Sequence, residues 1–260
     1  MRGFVVFYLI TFSEEKRLDQ VLQYKYTRYL LTCCAMDYAN LEYFLSQPRM
    51  NRFLVAAGNS QSKARQLYRI NLRVCQAFYP VFNLFEISLR NSMNIQLSAH
   101  FADPSWITNQ RTGFMNDPSL GPQYKMRNRV RNTITFLNSR GTPVTTGKMI
   151  SEQTFGFWTS LFDPSHYRLI AGSVIHCFPH KPAGIARVDI NVKLNGIREL
   201  RNRIYHNEPI CFNGPNVDFT HVTQVRQDIY DLLDWMNPDL ADHVRYYDAI
   251  TEKINTANNL

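Results

Sequence analysis

From Met36 onward, apolar residues recur three and four positions apart almost everywhere, the spacing that gathers them on one face of a helix. No run of strict alternation stands out, so the pattern predicts an all-α fold. Residues 37–46 read as a first helix. Ser60 or Ser62 can cap a second that buries Leu67, Ile70, Val74 and Phe78; Pro80 then kinks or restarts it before Phe82, Phe85 and Leu89 continue the stripe. Asp103-Pro104-Ser105 and the polar stretch 108–121 read as a long loop. Pro122 then suits the first turn of a helix that reaches Ser139, with Met126, Val130, Ile134 and Leu137 on its apolar face. Shorter helical pieces are expected around Thr159 and over 164–177. After Pro179, Pro182 and Gly184 three more helices follow, near 185–207, 218–236 and 239–255.

Residues 1–35 lack a sustained helical stripe or a cap and read as an N-terminal extension outside the native fold, either a variable arm or a lead from an upstream start codon. Residues 36–260 are expected to form one helical domain, since no repeat, low-complexity segment or long linker divides them. The apolar run from Phe4 to Phe12 is about half the length that spans a bilayer, so no membrane anchor is expected.

Charge adds a partner. The chain carries 29 Lys and Arg against 21 Asp and Glu, a net charge of +8, which favours a polyanion such as nucleic acid. Lys125, Arg127, Arg129 and Arg131, with Arg111 and Arg140 nearby and one acid, Asp117, form the densest basic stretch. They are the candidate RNA-binding residues, Arg127 and Arg131 on one helical strip and Lys125 and Arg129 on another. A solvated helix face has the same pattern.

Five cysteines without a CxxC pair predict free thiols in a reducing, cytoplasmic setting. His176, Cys177, His180 and Cys211 suggest zinc, but Pro179 and Pro182 oppose a regular helical pair, and neither a metal nor another cofactor is expected. Trp106, Trp158 and Trp235 are read as core anchors.

The densest chemistry lies in Leu200-Arg201-Asn202-Arg203-Ile204-Tyr205-His206-Asn207-Glu208-Pro209. Ile190, Leu194, Ile197, Leu200 and Ile204 share one helical side, which leaves Arg198, Asn202 and His206 along a polar strip and Arg201 at the margin. Pro209 puts His206 in the last turn, where the negative end of the helix dipole favours a proton donor. A permanent cation beside a titratable imidazole suits phosphodiester cleavage without a metal: Arg201 stabilising phosphoryl charge, His206 protonating the leaving oxygen, Asn202 orienting the imidazole or bonding a phosphate oxygen. Five residues at about 100° each set Arg201 and His206 roughly 140° apart, so either the helix end distorts or two copies face each other. Closing a core helix is the structural alternative for so short a pattern.

This string resembles the signature of the abortive-infection (Abi) branch of the HEPN superfamily. Upstream segments resemble that family's landmarks in the same order: Leu45-Ser46, Arg49, Arg52-Phe53-Leu54, Leu67 to Leu72, Phe85 to Asn91, Asp103 to Trp106 and Phe155 to Trp158. The resemblance implies an all-α, HEPN-like helical bundle with additional helices. It also implies a metal-independent endoribonuclease acting as a homodimer in phage defence or a toxin–antitoxin system, under an antitoxin or small-RNA regulator. Arg201, Asn202 and His206 inherit the catalytic positions, and Arg198 and Tyr205 flank them as supporting residues. Glu86 and Arg90 match the family's Glu-x3-Arg pattern; four apart on a helix, they can pair and buttress the motif helix, or form a plain structural ion pair. Against the nuclease stand a non-catalytic RNA-binding or protein-interaction module using the same basic surface, and a structural dimer that senses infection through a protein partner.

Overall fold

The computed structural model describes residues 36–259. The readings of the 1–35 extension, its apolar run and Cys33 and Cys34 lie outside the described residues. Among the described residues the fold is all-α apart from one two-residue-per-strand hairpin. The described residues fall into two compact units, 36–66 and 67–259, and the division falls inside a helix.

In the first unit, α1 (Tyr38–Leu45) starts where the Asp37 carboxylate accepts from the amide of Asn40 at 2.8 Å. Helix α2 (Gln47–Ala56) follows directly, Pro48 lying in its first turn, and buries Met50 and Phe53.

Helix α3 (Gln61–His100) continues for 40 residues with Pro80 inside it, so the chain does not restart at the proline. The proline removes one amide donor, but Phe78, Val81, Phe82 and Phe85 around it are all buried, and that packing carries the helix across the missing hydrogen bond. Helix α4 (Trp106–Asn109) and two single 3₁₀ turns occupy most of the expected long loop. Next, α5 (Lys125–Ser139) begins three residues after Pro122, because Tyr124 takes a left-handed conformation (φ 38°, ψ 51°) that no helix can continue through. Short helices α6 (Thr146–Ser151), α7 (Phe155–Thr159) and α8 (Pro164–Leu169) follow. Trp106 and Trp158 meet edge to face in the core, their ring centres 6.4 Å apart, as their reading as anchors requires. Trp235 is only half-buried and lies under the Lys193 ammonium, 5.7 Å from its ring centre.

Helix α9 (Arg187–Tyr205) packs against α10 (Thr220–Met236) and α7. Between α9 and α10 lies the hairpin the pattern missed, β1 (Phe212–Asn213) with β2 (Asn216–Val217), closed by Gly214-Pro215 with Gly214 at φ 59°. The last expected helix is two, α11 (Pro238–Arg245) and α12 (Ile250–Asn255). The buried Asp248 carboxylate explains the break: it accepts from Arg226 Nε (2.6 Å), the Tyr230 hydroxyl (2.8 Å) and the amide of Ile250 (2.7 Å), the last only possible at a helix start.

Lys193 ties α9 to α10, its ammonium donating to Asp228 and Asp231 at 2.7 Å each. Burial alone would depress Lys193, but the two carboxylates outweigh it and hold it above its ordinary 10.5, so its contribution is complete at neutral pH and fades only as pH climbs through that raised value. Lys193→Met leaves two neighbouring carboxylates without their cation and is expected to cost about 1–3 kcal/mol in urea unfolding at pH 7.

Candidate active site on helix α9

Ile190, Leu194, Ile197 and Leu200 are fully buried, and Ile204 partly, so the expected apolar face of α9 is the one that packs. That fixes the rotation of the helix. Asn202 and His206 are exposed, and Arg198 and Arg201 are partly buried at the margins of the packed face.

Arg201 is held from two sides. Its Nε donates to Glu86 Oε1 of α3 at 2.8 Å, and its guanidinium carbon lies 4.2 Å from the centre of the Tyr205 ring, one turn on. Among the described residues nothing bonds its two terminal nitrogens. Burial raises the Tyr205 hydroxyl above its ordinary 10.0, with Arg201 opposing, so at neutral pH it is a donor. The expected Glu86–Arg90 pair does not form: Glu86 turns to Arg201, and Arg90 Nε is buried without a hydrogen bond. An ion pair between helices has replaced one along a helix.

His206 stands on the C-terminal cap of α9, which ends two residues earlier than expected. The stop is made by Asn207 rather than Pro209. Asn207 sits at φ 59°, its amide donates to the Ile204 carbonyl (3.0 Å) and that of Glu208 to the Arg203 carbonyl (2.8 Å), the paired closure of a Schellman end. Arg203 then donates to the Pro209 carbonyl (2.7 Å), and the buried Asn71 of α3 accepts from the amide of Ile210 (2.9 Å). So Arg203, Asn71 and Asn207 position the histidine's backbone, and the motif's second arginine is structural. Asn before Glu-Pro was the available signal for the stop; Asn71, 139 residues away, had none.

The basic stretch splits. Arg127 stacks on Tyr124 at 4.2 Å and bonds Asn116 Oδ1, while Arg131 is exposed. Lys125 and Arg129 instead line a cleft of about 420 Å³ together with Arg198. Asp163, His166, Ser160 and Thr154 complete its polar wall, and Phe157 and Met126 its apolar floor. Arg198 donates to the buried Thr159 hydroxyl at 3.0 Å, and a terminal nitrogen of Arg129 to the Glu152 carbonyl at 3.4 Å. His166 was not anticipated: burial lowers it below the ordinary 6.5 against the pull of Asp163 and the Ser160 carbonyl, and its Nδ1 is buried without a hydrogen bond. Arg201, Asn202 and His206 do not line this cleft.

Cys177 is buried, its thiol pushed up to about 12 by desolvation, and His176 is exposed. Among the described residues, no three His, Cys, Asp or Glu side chains gather so as to hold a metal ion, and no helix is long and apolar enough to cross a membrane. No family model, no curated protein and no solved structure matches the chain.

Two outcomes follow from this geometry. Asn207→Gly is expected to change stability by under about 1 kcal/mol, whereas Asn207→Val, which resists left-handed backbone, is expected to cost about 2 kcal/mol in urea unfolding. For His166, whose folded value is lowered, the unfolded chain takes up the proton first. Its contribution is complete above about pH 6.5 and is lost as pH falls below it; urea midpoints between pH 8 and pH 5 are expected to fall less steeply in His166→Gln than in the parent.

Proposed function

We propose that the protein is a metal-independent endoribonuclease of the HEPN type that works as a homodimer. The observation that carries this is the fixed Arg201: anchored through Nε by Glu86 and backed by Tyr205, it keeps its terminal nitrogens for a ligand beside exposed Asn202 and His206. Two aligned donors on a rigid guanidinium match two phosphoryl oxygens.

In the reaction, the RNA 2′-hydroxyl attacks the adjacent phosphorus, and its proton passes to the second imidazole of the dimer. The P–O5′ bond breaks, and His206 gives its proton to the departing oxygen while Arg201 stabilises charge on the phosphoryl oxygens. The products are a 2′,3′-cyclic phosphate and a 5′-hydroxyl. Two copies supply what the roughly 140° separation of Arg201 and His206 on one helix denies, and the exposed Tyr79 and Tyr205 offer apolar area for that contact. Abortive infection or toxin–antitoxin control in the cytoplasm, under an antitoxin or small-RNA regulator, follows from the same family resemblance.

One observation favours a second reading, a non-catalytic RNA-binding or protein-interaction module: Glu86 already balances the charge of Arg201. A cleavage assay on total RNA with chelator present separates the two. Cleavage is expected to persist in chelator, and His206→Ala and Arg201→Ala to slow it by about 10²–10⁴-fold. A His206→Ala protein that cuts at the parent rate would overturn the nuclease reading.

A further inference from the structure

Three cations from two helices converge in a cleft that Arg201, Asn202 and His206 do not line. Lys125 and Arg129 are one turn apart on α5, Arg198 comes from α9, and all three line the same cleft of about 420 Å³, within the size range of small-ligand sites. One carboxylate, Asp163, faces them, and His166 is held toward its neutral form by burial. The wall thus carries an excess of positive charge with the Thr154 hydroxyl among the cations, while the Ser160 hydroxyl donates to the Phe157 carbonyl at 2.8 Å. A concave site with guanidinium, ammonium and hydroxyl donors is suited to a phosphate group, whose oxygens accept from all three.

The cations are not consumed by the fold. Lys125 is exposed and bonds nothing among the described residues; Arg129 makes one long hydrogen bond to a carbonyl, and Arg198 one to a hydroxyl. None of the three is neutralised by a carboxylate within ion-pair distance, in contrast to Lys193, Arg201, Arg226 and Arg245. Arg198 also lies on the polar strip that leads to His206, eight residues and therefore roughly 12 Å along the helix axis. A single strand following that strip carries one phosphate at the cleft and another at the histidine.

We infer that the cleft between α5, α7 and α9 is a phosphate-binding site that seats a backbone phosphate of single-stranded RNA a few nucleotides from the bond to be cut. The inference rests on the proposed function for its RNA ligand and for the bond to be cut, whereas phosphate binding at the cleft is read without cleavage. It divides the labour of α9: the Arg198 end holds the strand, and the His206 end meets the scissile bond.

Binding of a labelled, non-cleavable 2′-O-methyl oligonucleotide, measured by fluorescence anisotropy across a salt series, tests it. Lys125→Gln and Arg129→Gln are each expected to weaken binding about tenfold and to flatten the dependence of log K on log salt by about one. Lys148→Gln, which removes an equal charge from an exposed position outside the cleft, is expected to change neither. Arg198→Gln is expected to behave like the other two, with a thermal melt to confirm that loss of its bond to Thr159 leaves the fold intact. Competition by inorganic phosphate and by AMP identifies the source of the phosphate. Much weaker binding of both than of the oligonucleotide supports a strand, whereas equal affinity overturns the strand and leaves a free-phosphate site. If Lys148→Gln costs as much as Lys125→Gln, or if no cleft variant matters, the cleft is not a phosphate site. Loss of cleavage in every preparation while this binding persists would count against the nuclease reading alone.

Discussion

The buried side of α9 sets the terms for everything else in the second unit. Ile190, Leu194, Ile197 and Leu200 have no exposed surface. At about 1.5–3 kcal/mol for each such side chain, they leave the helix one rotational setting. From that setting the polar positions have no choice: Arg198 goes to the cleft with α5, Asn202 and His206 to solvent, and Arg201 to the seam with α3, where Glu86 meets it. Chemistry on this helix is a by-product of packing, arranged by which residues the stripe turns away from the core.

Charge is divided by the same packing. Carboxylates concentrate on α10, where Asp228, Asp231 and Asp234 are taken up by Lys193 and Arg245, and Asp248 holds Arg226. These pairs tie helices together and cancel locally. Lys125 and Arg129 of α5 and Arg198 of α9 line one cleft with a single carboxylate, Asp163, so positive charge there is left uncancelled. An uncancelled cluster of cations in a concave wall attracts anions to it.

Much of this was legible in the residues. The apolar period of α9 and the fold class came directly from spacing, because burial of an amphipathic helix depends on local sequence. Other features depended on contacts that no local pattern carries. The partner of Arg201 lies 115 residues away, and Glu86 carried a nearer candidate, Arg90, that the fold did not use. Tyr124 at the start of α5 is a poor choice for left-handed backbone, and Pro122 was the better local signal. Asp248 looked like an ordinary polar residue in a helical stretch until Arg226 and Tyr230 claimed its carboxylate and broke the helix. His166 reached the cleft through the packing of short helices α7 and α8, whose order no spacing rule predicts.

Asn207 restricts what mutation can do at this site over long times. A position held at φ 59° accepts glycine, asparagine and, less readily, aspartate, while branched side chains are selected against whatever their polarity. Divergent descendants of this chain should therefore show a narrow alphabet immediately after the histidine, even where the flanking residues have drifted. A lineage that acquires valine or isoleucine there must end its helix at another residue, and with it surrender the inherited aim of the imidazole.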